Sequence, residues 1–489
     1  LPSTHPISAD IRDLEDVEVN FDGITYAKGA SVLKQLVAWV GREEFLEGVR
    51  AYFAEHAWGN TSLTDLFRHL EQTSGRDLSA WNTEWLQTAG VNTLRPVVSV
   101  DESGAYSAVA VAQSASPDHP TLRSHRIAIG LYDAVDDQLV RRRRIELDIA
   151  GERTEVPELV GEVQADLLLV NDDDLTFAKI RLDDHSLQTL VRSITALPSL
   201  PRALCWTAAT DMLRDAELAT RDYVELVLGG IGTESVITVV QHVLATARSA
   251  IDLYADPADR MLLSARWASA LRGLAGAAEP GSDHQLAFAR AWVSAVASPE
   301  HVGQIRALLD GSTDVLDGLV VDTDLRWHLL QRLVVIGEAR DDEIDAELAR
   351  DDTATGARHA ALARASRPTT EAKLAAWKAA VESDELPNAV LAATVRGFAH
   401  AEQRSLVRPY VSRYLDAVPR VWNERTSEGA QTIIVGLFPR ILADAETAAT
   451  VREWLASATL PDAARRLVVE GLSDLDRALR AQARDRSAG

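Results

Sequence analysis

The chain has 489 residues, 46% of them hydrophobic and 25% charged, with 50 basic and 73 acidic side chains and a formal net charge of -23. This length predicts several domains rather than one core, and the acidic surplus disfavours nucleic acid and anionic membrane as partners. With one cysteine, Cys205, an intrachain disulfide is excluded, so a reducing, cytoplasmic compartment is expected.

The opening, Leu1-Pro2-Ser3-Thr4-His5-Pro6-Ile7, has no targeting character and reads as the middle of a longer sequence. After it, the apolar spacing predicts helices. Over Ala30–Val40 the residues Val32, Leu33, Leu36, Val37 and Val40 share a face, and over Glu43–His56 so do Phe45, Leu46, Val49, Tyr52 and Phe53. Ser62 and Asp65 form a capping box for a helix that buries Leu63, Leu66, Phe67 and Leu70. The next helix carries Leu78, Trp81, Trp85 and Leu86, with Gly90 as its stop.

From residue 92 the period changes to two. Val97–Val100, Tyr106–Ala112, His125–Tyr132, Leu139–Ile149, Asp166–Val170 and Leu175–Leu182 read as strands, enough for a small β-sandwich. Beyond residue 184 the pattern is helical to the end, with apolar faces at Ala203–Leu213, Tyr223–Leu228, Val236–Leu244, Ala287–Val296, Leu325–Ile336 and Ala372–Val381. Helix hairpins in such a series predict a large α-helical solenoid of the HEAT or armadillo kind. The expected domains are therefore 1–91, 92–183 and 184–489.

Chemistry is sparse. Tyr26 stands where a helix begins, followed by the small residues Gly29 and Ala30. A tyrosine held there can donate a hydrogen bond to a developing oxyanion; equally, it can be a core residue with its hydroxyl tied to backbone. The run Arg141–Arg144 lies in a strand, where alternate side chains take opposite faces, with acidic neighbours to neutralise it. Asn171–Asp174 lacks the spacing of a calcium loop and reads as a hairpin turn. His56 and His69 are thirteen apart with no third partner in view, so no metal ligand is assigned. No G-x-S-x-G, phosphate loop or dinucleotide glycine pattern is present.

The stretch Phe21-Asp22-Gly23-Ile24-Thr25-Tyr26-Ala27-Lys28-Gly29-Ala30-Ser31-Val32-Leu33 resembles the segment of M1 (gluzincin) zinc aminopeptidases that bears their catalytic tyrosine. Ser3-Thr4-His5-Pro6-Ile7 is similar to the element shortly upstream in that family. Trp81–Val91 resembles the end of the family's thermolysin-like catalytic domain, and Asn171–Asp183 the end of its β-sandwich. Pro201–Leu213 and Ala219–Leu228 resemble the opening of the C-terminal helical domain. The resemblance implies that Tyr26 is the catalytic oxyanion donor and that Phe21 lines the pocket for the substrate's first side chain. It also implies peptide substrates and a zinc cofactor.

One departure qualifies the resemblance. None of the twelve histidines is followed by glutamate, and neither Met212 nor Met261 lies in a G-x-M-E-N context. The zinc ligands, the general base and the amine anchor of the family are not in this sequence. The expectation is a C-terminal fragment, inactive alone, whose partner is the N-terminal catalytic half. The alternative is a non-catalytic α-solenoid scaffold or peptide-binding protein derived from the same family. In a fragment, the opening helices are expected to expose apolar surface near Tyr26.

Overall fold

Four helices open the computed structural model, which describes residues 4–8 and 23–488. They are α1 (Gly29–Val40), α2 (Arg42–His56), α3 (Leu63–Ser74) and α4 (Ser79–Leu86). Their shared core is Val32, Leu36, Val40, Phe67, Leu70, Leu78, Trp81 and Trp85, with Ile7, Phe45, Val49 and Phe177 packed against it. The stripe along α1 steps by four residues, so Leu33 falls on its flank and is exposed, while Gln35 is buried. The amide of Gln35 meets Leu175 O, Thr176 Oγ1 and Arg126 N at 3.0, 3.0 and 3.2 Å, which accounts for its burial.

The face expected on α2 is also narrower than the spacing implied. Leu46 and Phe53 are exposed, and the contact with α3 is made at Gly48. A Cβ there would meet Leu70 Cδ2 at 2.8 Å and His69 O at 3.2 Å, so only glycine permits this approach. At the start of α3, Asp65 accepts from both the backbone N–H and the hydroxyl of Ser62, each at 2.8 Å, and its carboxyl is thereby held below the usual range. The fourth helix ends at Leu86, before Gly90, which corrects the expected stop. Gly90 has φ +93°, and a Cβ on it would lie 2.7 Å from His119 Cβ.

Seven strands follow: β1 (Thr93–Val100), β2 (Tyr106–Ser114), β3 (His125–Val135), β4 (Gln138–Ile149), β5 (Arg153–Glu155), β6 (Leu167–Asp172) and β7 (Lys179–Ile180). They form two small sheets, ordered β5-β2-β1-β7 and β4-β3-β6. The strand expected over Leu175–Leu182 shrinks to Lys179–Ile180, paired in parallel with Thr93–Leu94. The cause lies just upstream. Asn171, Asp173 and Asp174 have φ of 60°, 66° and 56°, and the Asn171 amide clamps both the N–H and the C=O of Thr176 at 3.0 Å. Periodicity also missed β5.

The chain divides into two compact units, Thr4–Met212 and Leu213–Gly489. Within the second, the described elements are helices. Alternate helices pack on one another in series: Asp283–Ala295, Thr323–Val335, Ala354–Ala365, Asn388–Phe398, Ser427–Gly436 and Asp462–Ser487. Buried polar side chains close the helix ends between them, where carbonyls lack an intrahelical partner. Arg332 donates to Val296 O at 2.8 and 2.6 Å and to Glu402 Oε1 at 2.6 Å. Gln403 Nε2 donates to Val335 O and Ser366 O, both at 2.7 Å. Lys373 donates to Ala365 O at 2.8 Å, and burial pulls its pKa down to about 7. No described helix is long and apolar enough to cross a membrane.

Candidate active-site segment

Residues Ile24–Lys28 form a π-helical turn that runs into α1, the N–H of Gly29 bonding back to Ile24 O. Such widened turns recur at functional sites because they rotate side chains off the regular helical register. Here Tyr26 is 59% exposed while Lys28, two residues on, is buried. The reading of Tyr26 as a buried core tyrosine is thereby set aside. Phe21 lies outside the described residues.

What holds the turn is polar and long-range. Lys28 Nζ donates to Gly90 O at 3.1 Å and sits 5.8 Å from the Phe177 ring centroid. Burial, with Arg123 adding a like charge, brings its pKa down to about 8. The N–H of Ser8 donates to Leu86 O at 2.8 Å, and a Cβ on Gly29 would lie 3.9 Å from Ile7 Cγ2. Segments 4–8, 24–33 and 81–91, read separately in the sequence, are thus fastened together.

Arg123 makes the fastening rigid. It is buried, and donates to Glu84 O (2.8 Å), Asn92 Oδ1 (3.0 Å), Thr88 O (3.2 Å), Thr88 Oγ1 (2.9 Å) and Ala89 O (2.7 Å). These carbonyls belong to the end of α4 and the turn after it, which explains why the helix stops ahead of Gly90. Trp85 adds its own bond, Nε1 to Ser124 O at 2.9 Å. Neither Lys28 nor Arg123 was singled out from the sequence. The signal for Lys28 was its place beside Tyr26; Arg123, among loop residues, gave none.

Apolar exposure in the opening helices is at single side chains, such as Leu33 on α1, which is 54% exposed.

The remaining candidates resolve as follows. His125 is a core residue: its ring nitrogens lie 2.8 Å from Thr176 Oγ1 and 2.9 Å from Gln113 Oε1, and burial lowers its pKa to about 3. In the arginine run, a bulge between Arg141 and Arg143 breaks the expected alternation. Arg141 and Arg144 share Asp173, whereas Arg142 and Arg143 share Glu162, so acidic partners neutralise the run in pairs. His56 and His69 do have a third partner, contrary to the sequence reading: the Glu55 carboxylate lies between them.

That triad is the only close group of three or more histidine, cysteine, aspartate or glutamate ligands among the described residues. It is not an H-E-x-x-H, in which one helix carries both histidines a turn apart. The residues of this chain therefore do not fit the zinc that the resemblance describes, and no step through zinc follows from them.

The family described as "Peptidase family M1 domain" matches residues 1–85, and "ERAP1-like C-terminal domain" matches residues 167–477. Aminopeptidase N from Streptomyces lividans is 54% identical over 100% of this chain and 58% of its own length. Tricorn protease-interacting factor F2 from Thermoplasma volcanium is 27% identical over 49% of this chain and 28% of its own. Leucyl aminopeptidase from Saccharolobus solfataricus is 38% identical over 21% and 12%. The chain thus spans little more than half of the Streptomyces relative and less of the others. The two models match in chain order, the second over more than half of the chain, and the chain belongs to the M1 peptidases that carry an ERAP1-like C-terminal domain.

Proposed function

We propose that this chain is the C-terminal part of a zinc aminopeptidase that removes N-terminal amino acids from peptides, with Tyr26 as the donor to the tetrahedral intermediate's oxyanion. The observation that carries this reading is Tyr26 itself, exposed on a turn that Lys28, Gly90, Ser8 and Leu86 hold in place. A catalytic donor must be preorganised and accessible at once, and a core tyrosine is not accessible. Phe21 is assigned to the pocket for the substrate's first side chain.

The zinc of the whole protein, its general base and its amine anchor are assigned to residues other than those of this chain, which contains no H-E-x-x-H and no G-x-M-E-N. The chain alone is accordingly inactive, and its partner is the N-terminal catalytic half. Residues 1–91 close the catalytic domain, 92–183 are the β-sandwich and 184–489 the solenoid. The packing of alternate helices in series supports a solenoid. Cys205, free and buried, supports a reducing cytoplasm.

The test is hydrolysis of alanyl- and leucyl-aminocoumarin. The whole protein is expected to turn over both, this chain neither. In the whole protein, Tyr26→Phe is expected to lower kcat by about 10²–10³ with thermal stability unchanged. Unaltered kcat would remove Tyr26 from the reaction, and a whole protein without turnover would favour the scaffold.

A further inference from the structure

We propose that Glu55, His56 and His69 form a binding site for a divalent cation of the zinc class. Glu55 and His56 end α2, and His69 lies on α3, which the glycine at position 48 allows to approach closely. One ligand atom from each of the three lies within 4.8 Å of the others. Both imidazoles turn Nε2 to the same carboxylate: His56 Nε2 is 3.7 Å from Glu55 Oε1, and His69 Nε2 is 3.2 Å from Glu55 Oε2.

A second observation points to a ligand. His69 is 96% buried, yet its Nε2 has no hydrogen-bond partner, because the nearby carboxylate oxygen is not aligned to serve as one. A buried ring nitrogen without a bond destabilises the fold, a cost that a coordinated metal would offset. The rings are already oriented. Tyr52 packs against His56 and His69 at 5.4 and 6.1 Å between centroids, and its hydroxyl is fixed to Thr61 Oγ1 at 2.5 Å. Two imidazoles and one carboxylate suit zinc, whose bonds of about 2.0–2.2 Å set tetrahedral ligand atoms roughly 3.3–3.6 Å apart, close to the 3.7 and 3.2 Å present here, and half-exposed Glu55 leaves the fourth position to water.

Arg68 is the competing cation. Its Nη2 is 2.6 Å from Glu55 Oε1 and 3.3 Å from His56 Nε2, and it keeps the Glu55 carboxyl below its ordinary range. Its side chain is 42% exposed, so it can swing into solvent as the metal enters. Metal and Arg68 therefore exclude each other, a relation that a purely structural cluster does not require.

The experiment is equilibrium competition of the metal-free 489-residue chain with a chromophoric chelator for Zn²⁺, with Co²⁺ absorption as a second readout. Wild type is expected to bind one more equivalent than the double variant E55Q/H56A, whose ligand changes lie at the rim and spare buried His69. The single variants E55Q and H56A are expected to weaken binding at least about 10-fold, and R68Q to tighten it, all with unchanged far-ultraviolet circular dichroism. Equal stoichiometry in wild type and the double variant would overturn the proposal, as would affinity unmoved by R68Q.

Discussion

The opening helices and the C-terminal helices both bury polar groups, but to different ends. Around Tyr26 the buried groups join segments distant in sequence: Lys28 to Gly90, Arg123 to Glu84, Thr88 and Ala89. In the C-terminal unit they close the ends of neighbouring helices, as Arg332 does at Val296 and Gln403 at Val335. The apolar residues differ as well. Leu33 and Phe53 of the opening helices, and Trp58 in the turn after α2, face solvent, whereas Leu415, Val451 and Leu475 are buried in a continuous C-terminal core. One region holds a surface in a set geometry, and the other stacks helices for their own stability.

The largest effects should follow this division. Arg123→Ala would leave the partly buried carbonyls of Glu84, Thr88 and Ala89 without this donor; at about 1 kcal/mol for each bond lost, a loss of about 3 kcal/mol is expected in urea denaturation. Leu475→Ala, in the C-terminal core, should cost about 2–5 kcal/mol by cavity formation alone. An Arg123→Ala protein as stable as wild type would break the comparison.

Acid should weaken both units through histidines kept neutral by burial, His125 at the start of β3 against Trp85 of α4 and His400 in the C-terminal unit. The pKa of His125 is lowered to about 3 and that of His400 to about 4, each below the ordinary 6.5. The unfolded chain therefore takes up the proton first, so the stabilising contribution is full above pH 6.5 and declines as pH falls through the window down to about 3 or 4. For His125 the loss across that window is on the order of 5 kcal/mol. Urea midpoints of wild type and His125→Gln between pH 7 and pH 4.5 should converge as the pH falls; parallel curves would show that His125 is protonated in the fold.

Much of this was legible in the sequence where a local rule decides it. The Ser62–Asp65 cap, the period-two stretch from residue 93 and the helices after residue 184 each depend on residues near one another. The family segments were legible too, because Tyr26, Lys28 and Gly29 stand at fixed spacing. What could not be read depends on contacts over long separations. Arg123 sits in a loop with no periodicity, and Glu55 becomes the third partner of His56 and His69 only when α2 and α3 fold together. The bulge at Arg142 breaks a rule of alternation that no neighbouring residue announces. Gly90 lies between these cases: its need for glycine was anticipated, but for the wrong reason. Its φ of +93° and the His119 side chain 2.7 Å from a would-be Cβ make Gly90→Ala expensive, about 1–3 kcal/mol by thermal unfolding, with Lys28 losing its acceptor geometry.

The smallest expected effect is the sharpest test of the comparison. Leu33 lies on α1, one of the most apolar helices of the first unit, yet it is 54% exposed and a spacing argument alone would have buried it. If the exposed side of α1 is a surface held for function, Leu33→Ser removes almost nothing from the fold, and stability should stay within about 0.5 kcal/mol of wild type. The same leucine-to-serine change at Leu36, one helical step away and fully buried, should cost several-fold more, since it removes core contacts and buries a hydroxyl. Equal losses at the two positions would mean that Leu33 is covered in solution, and the opening helices would then resemble the C-terminal ones after all.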